Sequence, residues 1–215
     1  MSLHDESTTA AEREWLESWT AGPTENEGSG LPAGAAAPDL HLPDHTGRQR
    51  HLAEFWSDGP ALLMFWRHFG CGCGFERARR LRSEYDGYLA AGLQPVIVAQ
   101  GEPVRAAAYR AEHELGCPIL CDPDLVAYRA YGIGQWAVER ILYDAPAEYW
   151  SHPRALGADL QDQRRAQGRP TVDDPWRATA ELVIGTSGRV RLCHLYQHCE
   201  DFPDPRVLTT AARLS

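Results

Sequence analysis

Two cysteines one residue apart stand in a glycine-spaced turn, Gly70-Cys71-Gly72-Cys73-Gly74, directly after a strongly apolar run and directly before a helical pattern. A thiol held there feels the partial positive charge of a helix N-terminus and its unpaired N–H groups. Both favour thiolate over thiol and pull the pKa down from about 8.5. Arg67 and His68 precede the pair, and Arg77 falls in the first helical turn, so nearby positive charge adds to the effect. The chemistry this suits is nucleophilic sulfur chemistry. Cys71 would attack and form a sulfenate or mixed disulfide that Cys73 resolves, and the reverse order stays open. Arg67 would favour the thiolate and hold an anionic group, while His68 could move a proton. A Cys-x-Cys disulfide closes a small ring and is expected to be strained and comparatively oxidising. The plainer alternative is a pair of small turn residues without chemistry.

Four further cysteines, at 117, 121, 193 and 199, complete an even set of six. Cys117 and Cys121 bracket a short apolar segment and read as small buried hydrophobes. Cys193 and Cys199 flank His194 and His198 in LCHLYQHCE. Cys199 could serve as a distant resolving thiol, or the cluster could join Cys71 and Cys73 around a zinc ion, since thiolates and imidazoles suit that metal. Against this, 193 and 199 have opposite parity along a strand and share a site only if the strand ends or bends between them. The favoured reading leaves Cys193 in the core and the histidines near the surface, with no cofactor and no metal.

The elements that would position these groups follow from periodicity. Ala61 to Phe69 contains the run Leu62-Leu63-Met64-Phe65-Trp66, as expected of a central strand covered on both faces. After the turn, Phe75, Ala78, Leu81, Tyr85 and Leu89 recur at helical spacing. Arg77, Arg79, Arg80 and Arg82 fill what reads as the solvated face, and Gly92 ends the helix. Pro95 to Ala99 is a second buried strand, Pro103 to Leu115 a helix, Pro118 to Leu120 a short strand and Asp124 to Tyr131 a helical turn or two. Leu182 to Ile184, the turn Thr186-Ser187-Gly188 and the alternating segment Val190 to Tyr196 form a hairpin, and Pro205 to Leu214 a last helix. Strand and helix alternate, which implies an α/β fold with a central mixed sheet flanked by helices.

Two segments lie outside that pattern. Residues 1–33 read as a helical extension, with Trp15, Leu16 and Trp19 on one side, followed by a Gly/Pro/Ala-rich linker or loosely packed arm running to Pro38. Residues from about 134 to 176, rich in prolines and holding Trp136, Tyr149, Trp150 and Trp176, read as an insertion packed on the core. That insertion could lie over Cys71 and narrow access to small substrates, or supply a homodimer face.

Bulk composition removes several classes. The 215 residues carry a formal charge of −9 and no lysine at all, which excludes Schiff-base chemistry, a phosphate-binding P-loop lysine and a nucleic-acid surface. No apolar run reaches the roughly 20 residues needed to span a bilayer. The first residues lack the apolar stretch of a secretory signal, so reduced thiols in the cytoplasm are the expectation.

The segment ALLMFWRHFGCGCGFE, Ala61 to Glu76, resembles the active-site region of thioredoxin-like proteins. It is most similar to the peroxiredoxin-like branch of the alkyl hydroperoxide reductase and thiol-specific antioxidant (AhpC/TSA) family. Further similar stretches follow in order: GAAAPDLHL from Gly34, CPILCDPDLVAYRAYGI from Cys117 and IGTSGRVRL from Ile184. The resemblance implies a thioredoxin-like domain over 34–215 with the insertion at about 134–176. It also implies peroxide or disulfide reduction at Cys71 and Cys73 with Arg67 and His68 in support, and a thiol reductant protein such as a thioredoxin as partner. The segment departs from the family's Thr-x-x-Cys: Cys71 stands where the threonine would be and Gly74 where the cysteine would be. The thioredoxin-type Cys-x-x-Cys is also absent, with Gly70 in its first place. A metal-handling Cys/His protein and a non-catalytic binding module are the other function classes.

Overall fold

The apolar run at 61–65 is buried along its whole length because it forms the middle strand of a five-stranded sheet. The computed structural model describes residues 3–145 and 151–213, with 3–9 as helix backbone only. In chain order the elements are α1 (Leu3–Ala21), the small hairpin β1 (His41–Pro43) and β2 (Gln49–His51), β3 (Ala61–Phe65) and α2 (Gly72–Ala90). Then come β4 (Gln94–Ala99), α3 (Pro103–Glu112), β5 (Ile119–Cys121) and the short helices α4 (Val126–Ala130) and α5 (Val138–Ile141). The chain closes with α6 (Pro153–Ala166), β6 (Ala180–Ile184), β7 (Val190–Leu195) and α7 (Pro205–Arg213).

Strand order is β5-β4-β3-β6-β7. β3, β4 and β5 run parallel, whereas β6 is antiparallel to β3 and β7 to β6. Side chains alternate between the two faces of such a sheet. Leu63, Phe65, Val96, Val98 and Leu182 therefore meet Tyr128, Tyr131 and Trp136 on one side. Leu62, Met64, Ile97 and Val183 meet Ala78 and Leu81 of α2, Tyr109 of α3 and Leu208 of α7 on the other. Each fully buried Leu, Val or Phe contributes about 1.5–3 kcal/mol relative to exposure, and the centre of the sheet holds many of them. Among the described residues no helix is long and apolar enough to cross a membrane.

Three expectations from the sequence need correction. The strand at 61–69 ends at Phe65, because the chain must leave the sheet to reach α2. The arm from Ala21 to Pro38 is docked rather than loose: Gln135 Oε1 accepts the N–H groups of Thr24 and Glu25 at 2.7 and 2.9 Å, and Gly134 donates to the Glu27 carbonyl. The two backbones touch at Gly28 and Gly134, where any Cβ would collide with the carbonyl oxygens of Gly132 and Asn26. Third, Arg77 is not on a solvated face. Its Nε and Nη2 donate to the two carboxylate oxygens of Glu181 at 2.7 and 3.2 Å, and its Nη1 donates to Glu84 at 2.8 Å. Arg79, Arg80 and Arg82 do lie at the surface, with Arg79 and Arg80 paired to Glu76 and Arg82 to Glu114. His113, at the end of α3, is half-buried and stacked against Phe75 with ring centres 4.9 Å apart.

Trp15, Trp19 and Trp176 stack in series, at 5.3 and 4.8 Å between ring centres, and this ties α1 to the segment that follows α6. Tyr149 and Trp150 lie outside the described residues.

Candidate active site

The site begins where β3 releases the chain. Trp66 still donates its N–H to the Val98 carbonyl, after which His68 and Cys71 close a turn through a Cys71 N–H to His68 carbonyl bond of 3.1 Å. Cys71 is the N-cap of α2, with extended backbone and no capping hydrogen bond from its side chain. Its sulfur thus lies at the positive end of a 19-residue helix. Cys73 is inside the first turn of that helix rather than in the preceding loop, which corrects the sequence expectation.

Three sulfurs converge here. Cys71 Sγ is 2.6 Å from Cys73 Sγ, and the sulfurs of Cys71, Cys73 and Cys199 all lie within 4.8 Å of one another. Cys199 reaches the site from the turn after β7, which ends at Leu195, while Cys193 stays on the strand away from it. Arg67 ties the group together, its Nη1 3.2 Å from both Cys71 Sγ and Cys199 Sγ. Its Nη2 donates to the Pro175 carbonyl, and its guanidinium carbon lies 5.6 Å from the Trp136 ring centre. No carboxylate is among these partners.

The electrostatics follow from that arrangement. Hydrogen bonds from Cys199 and then Cys73, outweighing burial and reinforced by Arg67, hold the Cys71 thiol well below its ordinary value. Cys73 is pushed up by its sulfur neighbours, Cys199 first, and by burial. Cys199 is pushed up to about 11, first by its hydrogen bond to Cys71. Of the three sulfurs, Cys71 is thus the one favoured as thiolate, while Cys73 and Cys199 are pushed the other way. Burial opposes the charge on Arg67, but Cys71 and Cys199 outweigh burial and keep the guanidinium protonated. His68, 5% exposed, is held neutral at pH 7 chiefly by burial, with Arg164 and Arg67 adding to the effect against the pull of Cys71.

A cavity of about 20 Å³ opens between Arg67, His68, Cys73, Tyr196 and Cys199, room for about one water-sized molecule. The segment between 134 and 176 covers this end of the sheet through Pro175, Arg169, whose Nη1 lies 3.5 Å from the Gly70 carbonyl oxygen, and Arg164.

The structure thus brings Arg67, His68, Cys71 and Cys73 together and adds Cys199, which the sequence offered only as an alternative. It leaves the rest of the Cys/His cluster apart. Cys193 is half-buried against Gly30 and Leu31, His194 Nε2 is 2.8 Å from the Asp201 carbonyl, and His198 packs on Tyr143. Among the described residues the only metal-compatible group is the three cysteines, without histidine. Cys117 and Cys121 are fully buried, and burial pushes both thiols up to about 12.

A thiolate at a strand-to-helix turn, on a mixed sheet of this order, defines a thioredoxin-fold protein with a sulfur-based site. Residues 33–149 match the AhpC/TSA family, more than half of the chain, and the chain belongs to that family. Among its relatives is the chloroplastic thioredoxin-like protein AAED1 of Arabidopsis thaliana, 26% identical over 107 residues, which are 49% of this chain and 43% of that protein. A candidate peroxiredoxin of Mycobacterium tuberculosis strain H37Rv is 30% identical over 105 residues, 47% of this chain and 66% of its own. The match thus spans less than two thirds of each relative's length. Among solved structures, peroxidoxin BcpB of Mycobacterium tuberculosis superposes with a TM-score of 0.61 at 16% identity, covering 85% of this chain and 97% of that one. The thiol peroxidase of Chromobacterium violaceum gives 0.55 at 16% identity, over 85% and 87%. These likenesses establish the fold.

Proposed function

We propose that this chain is a thiol-dependent oxidoreductase that reduces a small peroxide through Cys71. The observation that carries the reading is the set of three thiols around one guanidinium, with only Cys71 favoured as thiolate. The Cys71 thiolate attacks the distal oxygen of a hydroperoxide. An S–O bond forms, the O–O bond breaks, and the departing oxygen leaves as alkoxide or hydroxide and takes up a proton. Arg67 offsets the negative charge before and during attack. The Cys199 thiol then attacks the Cys71 sulfenic sulfur, forming an S–S bond and releasing water. Cys73 Sγ lies 2.6 Å from Cys71 Sγ, but a Cys71–Cys73 bond would close a small strained ring, so the lasting disulfide is assigned to Cys71 and Cys199. A dithiol reductant of the thioredoxin kind restores both thiols, and a reducing compartment such as the cytoplasm belongs to the same reading. The small cavity supports small substrates.

Reduced protein treated with one equivalent of hydrogen peroxide should yield a Cys71–Cys199 peptide on mapping, and Cys71→Ser should abolish it. Unmodified Cys71 after peroxide treatment would overturn the assignment, and a Cys71–Cys73 peptide would move resolution to Cys73.

A second reading has one observation in its favour: three sulfurs within 4.8 Å can hold a soft metal ion. Arg67, 3.2 Å from two of them, repels a cation, which ranks this reading second. Elemental analysis of protein purified without chelator or affinity tag separates the two; stoichiometric metal would promote it.

A further inference from the structure

Several buried polar atoms around the Cys71 turn have no partner, and two of them face the same gap. His68 is 95% buried, yet its Nδ1 has no hydrogen bond; Nη1 of Arg164, on α6, is buried and likewise unpaired. Leaving such polar nitrogens unsatisfied costs on the order of 1–3 kcal/mol each, so their pairing elsewhere in the reaction cycle is the economical explanation. Both atoms border the open side of Gly70, the residue before Cys71. A Cβ built on Gly70 would lie 3.3 Å from His68 Nδ1 and 3.6 Å from Arg164 Nη1, so the two nitrogens converge on the position that a side chain would take. Arg169 adds a second guanidinium from the same segment, its Nη1 3.5 Å from the Gly70 carbonyl oxygen and its guanidinium carbon 4.2 Å from the Phe75 ring centre. Neither arginine has a carboxylate partner among its described contacts, whereas nearby Arg105 is tied to Asp173 at 2.6 Å. The gap is thus flanked by two guanidiniums without carboxylate partners and by two unpaired nitrogens, beside the residue that precedes Cys71.

We propose that this gap is a carboxylate subsite: Arg164 Nη1 and the N–H of His68 Nδ1 seat an anionic carboxylate carried by the substrate while its reacting atom meets Cys71. The inference deepens the thiol reading by naming the substrate class, and it makes Arg164 a specificity residue supplied from beyond the family-matched residues 33–149.

The test uses two alkylating probes that differ in charge, iodoacetate and iodoacetamide, with rates followed at Cys71 by mass spectrometry. Both probes consume the same thiolate, so their rate ratio cancels any effect of a substitution on thiolate population. Wild type should favour iodoacetate by about tenfold or more relative to a small free thiol, as a charge-assisted bidentate contact implies. Arg164→Gln should bring the ratio to within about threefold of the free thiol, and Gly70→Ala, which fills the gap but keeps the charge, should do the same. Arg82→Gln, on the exposed face of α2, should leave it unchanged. A free-thiol ratio in wild type overturns the subsite while leaving the nucleophile intact. Loss in Arg164→Gln with full preference in Gly70→Ala also overturns it, since the attraction would then be a field without a seat. A second measurement does not depend on Cys71 reactivity: titration with acetate should shift the His68 imidazole resonances saturably in wild type and not in Arg164→Gln. Absence of saturation in wild type overturns the proposal.

Discussion

Arg67 and Arg77 are both almost fully buried and sit within a few residues of the same cysteines, yet they hold opposite kinds of partner. Arg77 spends its guanidinium on carboxylates: Glu181, itself fully buried and receiving the Tyr196 hydroxyl at 2.6 Å, and Glu84. Arg67 faces two sulfurs, a carbonyl and an aromatic ring. A cation paired with fixed anions is structural, because neither partner can change its charge without leaving the other uncompensated. A cation paired with thiols is poised, since the thiols can ionise, oxidise or bond to one another. The comparison teaches that burial of an arginine says little by itself; the titratability of its partners decides its use.

The largest effect should come from the structural half. Arg77→Met should cost about 3–5 kcal/mol in urea denaturation, because it leaves Glu181 as an unpaired buried charge. Glu181→Gln placed on top should recover part of that loss. A cost under about 1 kcal/mol would break the comparison at its firmer end.

The buried cysteines sharpen it from another side. Cys117 has a folded pKa of about 12 against about 8.5 unfolded, a rise caused by burial. Its contribution to stability is therefore complete below pH 8.5 and is lost as pH rises from there toward 12. The slope is about 1.4 kcal/mol per pH unit, or on the order of 2 kcal/mol by pH 10. Cys117→Ala lowers stability at pH 7 through the cavity it leaves, but its decline between pH 8.5 and 10 should be shallower than that of wild type by this amount. Equal slopes would mean that burial of this sulfur carries no such penalty.

For the poised half, Arg67→Gln should raise the alkylation midpoint of Cys71 by at least one pH unit, about tenfold in rate below that midpoint. Stability should fall by only about 1 kcal/mol, the usual worth of one hydrogen bond such as that to Pro175, because Cys71 can protonate instead of remaining an uncompensated anion. An unchanged midpoint with a large stability loss would make Arg67 a second Arg77.

Much of this arrangement could be read from the sequence, and the misses share a cause. The β3 run, the α2 periodicity and the 184–190 turn are local patterns, and local patterns fix strands, helices and hairpins. Cys71, Cys73, Arg67 and His68 are likewise close in sequence, so their meeting at one turn was legible. What stayed illegible depends on contacts across the chain. Arg77 looked solvated because its neighbours on α2 are; only the pairing of β6 beside β3 brings Glu181 under it. Cys199 needed β7 to end at Leu195, and Arg164 needed α6 to fold back on the Gly70 turn. The glycines of 21–38 suggested slack, when their use is close backbone approach. For Cys199 the sequence offered only the alternative of a distant resolving thiol, from its place in the Cys/His segment at 192–200.

The smallest effect asks whether Arg67 works as a charge or as a fork. Lysine keeps the charge but concentrates it on one nitrogen, whereas a guanidinium presents donors in a plane that can meet Cys71, Cys199 and Pro175 at once. If charge alone sets the Cys71 thiolate, Arg67→Lys should hold the alkylation midpoint within about 0.3 pH unit of wild type. If the fork matters, an ammonium without a second nitrogen on Pro175 is no longer held between the two sulfurs, and the midpoint should rise by roughly half a unit while Cys71–Cys199 disulfide formation slows about twofold to threefold. The geometry favours the second outcome, because one nitrogen, Nη1, already bridges both sulfurs while the other is held by the Pro175 carbonyl. A lysine freed from that carbonyl would settle against the thiolate alone and leave Cys199 without the contact that keeps it in line.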